Sequence, residues 1–348
     1  MVDGKVDNPA DNIKETVIKL LTYCQTNDWA GYDPYDATNS EFFRILPFLD
    51  RRLPRLVLTQ LLKRSPVNFR SLLMVPKTQN PKGLALFLMA FLKLRKLGLL
   101  ESDDLIQLMI QKLIDLRSPP NPSTPCNPSN ASNPTNPCNP INPYFCWGYS
   151  FPWQTRTIVV PRFAPNLVCT TFVANALLDA YENGGESSYL DMATSAAEYI
   201  LNELYWTKGE STACYSYPVP SYRGHFHNAN FLGAALLCRV YRHCEGQKFL
   251  DSALKVARYS ACQQQDDGSW YYGEHSTQRW IDNFHTGYNL CALKSIGRYA
   301  ATPEFESNIQ RGFEFGGIIF SGKTAPPTIS TIAPIPSIST ASPKASSH

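Results

Sequence analysis

The chain has 348 residues, with 32 Lys+Arg against 29 Asp+Glu and a formal charge of +3 at pH 7. That near-balance argues against nucleic acid or an anionic membrane as a partner. Hydrophobic residues make 43% and aromatic residues 12%, enough for a large buried core.

The first eight residues are polar and lack the basic-then-apolar pattern of a targeting segment. No apolar run approaches the roughly 20 residues needed to span a bilayer. The expectation is a soluble, cytoplasmic chain with no membrane insertion. Amphipathic helices follow in series. Residues 12–24 place Ile13, Val17, Leu20, Leu21 and Cys24 at helical spacing. Residues 84–97 are Leu-rich and stop at Gly98, and residues 103–116 repeat the pattern. Further helices are expected over 166–181, 189–204, 229–242, 249–262, 281–298 and 305–315. Strand signals are short, around 214–217 and 270–272. The class is all-α.

Two segments break the pattern. Of the 27 prolines, nine lie in residues 119–143 and five in residues 322–348. The first, with repeated Asn-Pro steps, predicts an extended, disordered insert. The second is rich in Ser, Thr, Pro and Ala and has no helical period. It predicts a disordered tail from about residue 316. The expected arrangement is therefore one domain over 12–315, interrupted by the insert.

Ten cysteines do not read as a disulfide framework. Cys24, Cys169, Cys238, Cys262 and Cys291 sit in apolar helical stretches, where free cysteine acts as a small hydrophobe. No C-x-x-C pair or H-E-x-x-H motif points to a metal, and no phosphate cradle points to a nucleotide. No metal and no cofactor is expected.

The helices form a repeat. Three units share an aromatic loop, a small-residue helix, a turn and a second helix. The first helices end at Tyr181, Tyr241 and Tyr299, spaced 60 and 58 residues apart. A period near 60 with two helices per unit means stacked helical hairpins. The first helix is apolar nearly all round and the second is amphipathic. An inner and an outer layer favour a closed ring of about six hairpins, an (α/α) toroid.

The run Gln263-Gln264-Gln265-Asp266-Asp267-Gly268-Ser269-Trp270 resembles the Q…DGSW turn of α/α-toroid proteins. That architecture is shared by terpenoid cyclases, protein prenyltransferases and six-hairpin glycosidase-like enzymes. The chain more closely resembles a family of uncharacterised prokaryotic toroid proteins. The resemblance rests on Gly31-Tyr32-Asp33-Pro34-Tyr35-Asp36, Lys63-Arg64-Ser65-Pro66, Cys146-Trp147-Gly148-Tyr149, His227-Asn228-Ala229-Asn230 and Trp280-Ile281-Asp282-Asn283-Phe284-His285-Thr286-Gly287. It covers most of residues 12–315 and implies an association with polysaccharide. Some relatives carry a porphyrin-pathway dehydratase label, which belongs to a TIM barrel and finds no βα alternation here. Relatives keep the 119–143 loop short and end in another aromatic loop and inner helix. Residues 322–348 instead carry no such helix, although an offset frame of them can encode a loop of that kind. The expectation is a frameshift that removes the final inner helix.

In a toroid the loops that enter the inner helices line one mouth, and the aromatic, acidic and His residues concentrate there. The expected catalytic residues are Asp33, Asp36, His227, Asp282 and His285. The expected substrate-binding residues are Tyr32, Tyr35, Trp147, Trp153, Arg156, Asn228, Glu274 and Trp280. Aromatic faces suit sugar rings, and a proton donor and acceptor across the ring suit acid–base chemistry. Asp33 or Asp36 with Asp282 would serve hydrolysis, and His227 with His285 a two-base epimerase. A His or Tyr base, with Arg156 on a uronate carboxylate, would serve a lyase. Asp282 also reads as an N-cap, Asn228 as a helix-cap residue, and the tryptophans as wedges between hairpins. The same mouth would serve a carbohydrate-binding or scaffold protein without turnover. Isoprenoid cyclisation and prenylation fit less well, since neither an Asp-rich acid motif nor a zinc site is evident.

Overall fold

Capping side chains decide where the inner helices begin. The computed structural model describes residues 9–46, 51–100, 102–119, 143–154 and 158–320. Helices α1 (Pro9–Thr26), α2 (Phe42–Ile45) and α3 (Arg52–Arg64) come first. Four hairpins follow: α4 (Pro81–Lys96) with α5 (Asp104–Asp115), and α6 (Leu167–Glu182) with α7 (Ser187–Tyr199). Then come α8 (His227–Cys244) with α9 (Gln247–Ala261), and α10 (Asn283–Tyr299) with α11 (Glu306–Phe320). Asn80 caps α4 through the Lys82 N–H, Asn166 caps α6 through Cys169, and Asp282 caps α10 through His285. Three of the four inner helices thus start on a side-chain cap.

Within each hairpin the two helices pack together, and α4, α6, α8 and α10 pack on one another in sequence. The first helices therefore make an inner layer and the second helices an outer one. Burial follows the layers. Helix α6 is buried at twelve of its sixteen residues, nearly all round. Helix α9 buries Phe249, Ser252, Ala253, Val256, Ala257 and Ser260 along one face. The architecture is all-α and of the α/α-toroid type. Four regular hairpins fall within the described residues. The 120–142 part of the Pro-rich insert and residues 321–348 lie outside them.

The repeat is visible in its polar clamps. Trp147 is fully buried, and its indole N–H donates to the Leu113 carbonyl of α5 at 2.7 Å. Trp270, also buried, donates to the Ser260 carbonyl of α9 at 3.0 Å. Each tryptophan pins a loop entering an inner helix to the end of the preceding outer helix. The Thr170 hydroxyl accepts the Trp147 N–H at 3.0 Å, and Asn230 Oδ1 accepts the Tyr215 N–H at 3.0 Å. These two acceptors sit at the same position of α6 and α8. In the Q…DGSW turn, Gln264 Nε2 donates to the Gly268 and Asn308 carbonyls. Gly268 has φ +89°, and a Cβ there would lie 2.3 Å from the Arg311 carbonyl oxygen.

Several expectations need correction. Helix α1 does not bury its apolar face: Cys24 is buried, but Ile13 is 65% and Leu20 54% exposed. The segment docks instead through Trp29, which packs edge-on against Phe87 and Phe91 of α4 at 5.0 and 5.6 Å. Cys262 and Cys291 are exposed rather than core residues. Helix α3 was hidden by Arg51, Arg52 and Arg55, which dilute its apolar period. Two short antiparallel pairs form, β1 (Trp153–Gln154) with β2 (Val159–Val160) and β3 (Tyr205–Lys208) with β4 (Thr212–Tyr215). Residues 270–272 form no strand, and the contact there is one bridge between Phe226 and Gly273. Helix α11 runs to Phe320, past the expected end at Phe315. Among the described residues no helix is long and apolar enough to cross a membrane.

Candidate functional site

Each inner helix is entered by a loop, and the loops converge at one end. Backbone pairing of Gly31 with Thr78 brings the Tyr32–Asp36 turn beside the start of α4. Thr78 Oγ1 meets Ser150 Oγ at 2.9 Å, and Asn39 donates to the Ser150 carbonyl. The N-terminal turn is thereby stapled to the loop that enters α6. Trp29, Tyr32, Asp33, Asn80, Ser150 and Phe151 line a cavity of about 240 Å³ between them.

The centre of the mouth is aromatic. Tyr217 faces the phenols of Tyr149 and Tyr272, and burial pushes its own hydroxyl up to about 12. Tyr149 stacks on Phe151 at 5.5 Å and meets Trp153 edge-on at 6.5 Å. Tyr272 stacks on Trp280 at 4.4 Å, with an interplanar angle of 14°. His285 stands edge-on to both, 4.8 Å from Tyr272 and 5.3 Å from Trp280.

Asp282 and His285 form a pair. His285 Nδ1 lies 2.9 and 2.8 Å from the two Asp282 oxygens, and its backbone N–H donates to Oδ1 at 2.6 Å. Burial alone would raise the Asp282 carboxyl. The His285 ring and the two backbone N–H groups of Phe284 and His285 outweigh it and hold the carboxyl below its usual range. An ionised carboxylate only accepts, so Nδ1 carries a proton toward Asp282 and Nε2 is the nitrogen turned away from the pair. Asp282 is thus both the N-cap of α10 and the group that orients His285.

Asp33 has the opposite character. Burial raises its carboxyl, helped by Asp36, and the Tyr35 N–H, Lys82 and Arg70 only partly offset this. Its Oδ1 accepts the Tyr35 N–H at 2.9 Å. Asp33 lies near enough to Tyr149, and Asp282 to Tyr272, to act on their hydroxyls through space, so both carboxylates adjoin the tyrosine cluster. Environments that push two acids apart are the pattern of an assigned donor and acceptor.

Other expected residues do different work. Asp36 is 1% exposed, accepts the Asp33 N–H at 2.9 Å and takes the Arg70 guanidinium at 2.9 and 3.2 Å. It shapes the turn and has no free oxygen for chemistry. Trp147 is a core wedge, since its ring is sealed and its N–H is spent on Leu113. Tyr35 is exposed and accepts from Lys63 Nζ at 2.8 Å, and Tyr32 lines the cavity under Arg70. Asn228, in the first turn of α8, keeps a buried Oδ1 with no partner, as an open acceptor would. Arg156 lies outside the described residues.

His227 does not join His285. It is 1% exposed and its Nδ1 meets Ser260 Oγ at 3.3 Å, inside the α8–α9 hairpin. Burial and then His225 push its pKa down to about 4, so the ring is neutral at pH 7. Glu274 stands 4.0 Å from Nε2 and already takes the Tyr259 hydroxyl, too distant to offset that burial. The extended stretch into α8 alternates sides: Phe226 packs on Tyr217 and Tyr272, while His225 packs on Trp206 and Tyr259. His227 follows His225. Glu274 joins that outward cluster, with His225 Nδ1 3.8 Å from it.

The structure adds Tyr149, Tyr217, Tyr272 and Lys82 to the mouth. The tyrosines lie in loops that the sequence marks as aromatic. Lys82 carries no motif, and only its place in the first turn of an inner helix, opposite Asp33, marks it. Among the described residues no group of three or more His, Cys, Asp or Glu is placed to hold a metal ion.

No family model matches the chain, and no curated protein matches it. Solved structures of similar shape exist. A protein from Listeria innocua matches at 16% identity over 45% of this chain and 45% of its own, with a TM-score of 0.37. A GH76 α-mannanase from Bacteroides thetaiotaomicron matches at 11% over 68% and 59%, with 0.45. A cellobiose 2-epimerase from Bacillus thermoamylovorans matches at 9% over 81% and 73%, with 0.46. The chain spans about half the length of the first two. The assignment of fold stands on the packing of the hairpins themselves.

Proposed function

We propose that the chain acts on a poly- or oligosaccharide at this mouth, by proton transfer. His285 is the base, Asp282 holds it, and Asp33 donates the proton. The observation that carries the reading is the Asp282–His285 pair set edge-on to the stacked Tyr272–Trp280 faces, with Asp33 near Tyr149 of the same tyrosine cluster. Stacked aromatic faces suit the C–H faces of a sugar ring, and Asn228 Oδ1 is an acceptor for a hydroxyl. Both Asp282 oxygens are engaged, which disfavours Asp282 as a nucleophile and hydrolysis by two free carboxylates. A His base with an acid opposite favours a lyase or an epimerase, and the carbohydrate enzymes among the solved structures are compatible with either.

The test is a screen of the full chain against oligosaccharides, following new double bonds, reducing ends and epimers. His285→Ala should lower turnover by about a hundredfold or more while saccharide binding persists. Asp33→Asn should lower turnover similarly. Turnover that survives both changes would remove the site assignment. Binding without turnover in the unaltered chain would make this a carbohydrate-binding protein.

A further inference from the structure

Lys82 is a half-buried cation without an anion in contact. It lies in the first turn of α4, and its ammonium sits 4.4 Å from the centre of the Phe172 ring on α6. The rings of Phe284 and Tyr288 on α10 lie 5.8 Å away. Two neighbouring inner helices therefore wall it in with aromatic faces, next to His285 through Phe284. Among the described residues no acceptor bonds its three N–H donors and no carboxylate lies within ion-pair distance. Asp33 acts on it only through space. Three other part-buried cations of the fold are ion-paired: Arg70 with Asp36, Arg239 with Asp179 and Glu182, and Lys112 with Asp28.

A desolvated ammonium with unfilled donors is costly, and aromatic faces offset only part of that cost. In the other part-buried pairs the anion comes from the chain. Lys82 lies between Asn80 and Gly83, which both line the cavity beside the Tyr32–Asp36 turn, and a ligand there would meet it. We propose that Lys82 holds the carboxylate of an acidic sugar, so that the mouth selects uronate-bearing saccharides over neutral ones. The inference rests on the saccharide reading above and names its substrate class. Burial pushes the Lys82 pKa below its usual value, and Cys169 and Asp33 nearby offset only part of that, the response of a cation short of partners.

The test titrates the full chain with uronate oligosaccharides, each beside its carboxyl-reduced neutral form. The acidic member should bind about tenfold to a hundredfold more tightly, the range of one charge-assisted contact. Lys82→Met should erase that preference, and Lys82→Arg should keep most of it. Lys82→Met should also melt close to the unaltered chain, because Met keeps a side chain against the three rings and no ion pair or hydrogen bond is lost. Equal binding of acidic and neutral forms by the unaltered chain overturns the inference and leaves the saccharide reading intact. So does an acid preference that survives Lys82→Met, or a clear fall in melting temperature. Failure to bind any member of any pair removes both.

Discussion

Helices α8 and α10 occupy equivalent places in successive hairpins, yet they meet different surroundings. Helix α8 lies between α6 and α10 and buries twelve of its eighteen residues. Helix α10 packs on α8 and α11 and buries five of its seventeen. Its residues Phe284, Gly287, Cys291, Lys294 and Arg298 form one exposed face at helical spacing. The polar residues follow suit. On α8, His227, Asn230 and Arg239 are satisfied inside the protein, by Ser260, by Tyr215 and by an ion-pair cluster with Asp179 and Glu182. On α10, His285 is held by Asp282 and keeps one ring nitrogen open. A helix flanked on both sides spends most of its polar groups on the fold, with Asn228 Oδ1 left over, and one flanked on one side among the described residues can offer them to a ligand.

That contrast breaks if equal substitutions cost the same in both places. Phe231, fully buried in α8 against Trp270, should cost about 4 kcal/mol when changed to Ala. Chemical denaturation of the two purified proteins would measure it, and a loss under 1 kcal/mol, by the scale of such cavities, would mean that α8 is not the packed member.

The His227 term is smaller and depends on pH. Its folded pKa, about 4, lies below its unfolded value of 6.5. The unfolded chain therefore takes up the proton first, and stability falls as pH drops through that window. The expected loss is roughly 2 kcal/mol between neutrality and about pH 5. His227→Gln should remove most of that slope, read as the pH dependence of the melting temperature. Asp282 works in the same sense but lower down, since its folded pKa is also depressed: its contribution is present above the ordinary carboxylate range and is lost as pH falls through that range and below it. The smallest effect belongs to Phe284, 54% exposed on α10. Phe284→Ala should change stability by less than about 0.5 kcal/mol, and a larger loss would show that α10 is covered on that face.

The hairpins were legible because the tyrosine period, the small-residue inner helices and the capping residues all agree. The grouping of Asp282, His285 and Trp280 on one aromatic loop followed from the same repeat, whereas Asp33 lies in the separate Gly31–Asp36 stretch. The direction of His227 did not, because the Phe226–Gly273 bridge sets which side of the incoming strand-like segment faces inward. Nor did the burial of Trp147, whose indole reaches a carbonyl 34 residues earlier in the chain. Lys82 was hidden for another reason. A lysine at the head of a Leu-rich helix looks solvated until Phe172, Phe284 and Tyr288 are seen around it.

The tryptophan clamp at Trp147 has a neighbour that isolates the mouth from loop length. The Ser118 N–H donates to the Cys146 carbonyl at 2.9 Å, and the Arg117 guanidinium donates to the Tyr144 carbonyl at 3.1 and 2.9 Å. The chain therefore leaves α5 and returns toward α6 through a sealed base. Because closing a longer loop adds cost only logarithmically, a change of length between 119 and 143 is expected to leave Tyr149 and its neighbours in register. The clamp thus uncouples the length of the connection from the geometry of the loop that enters α6.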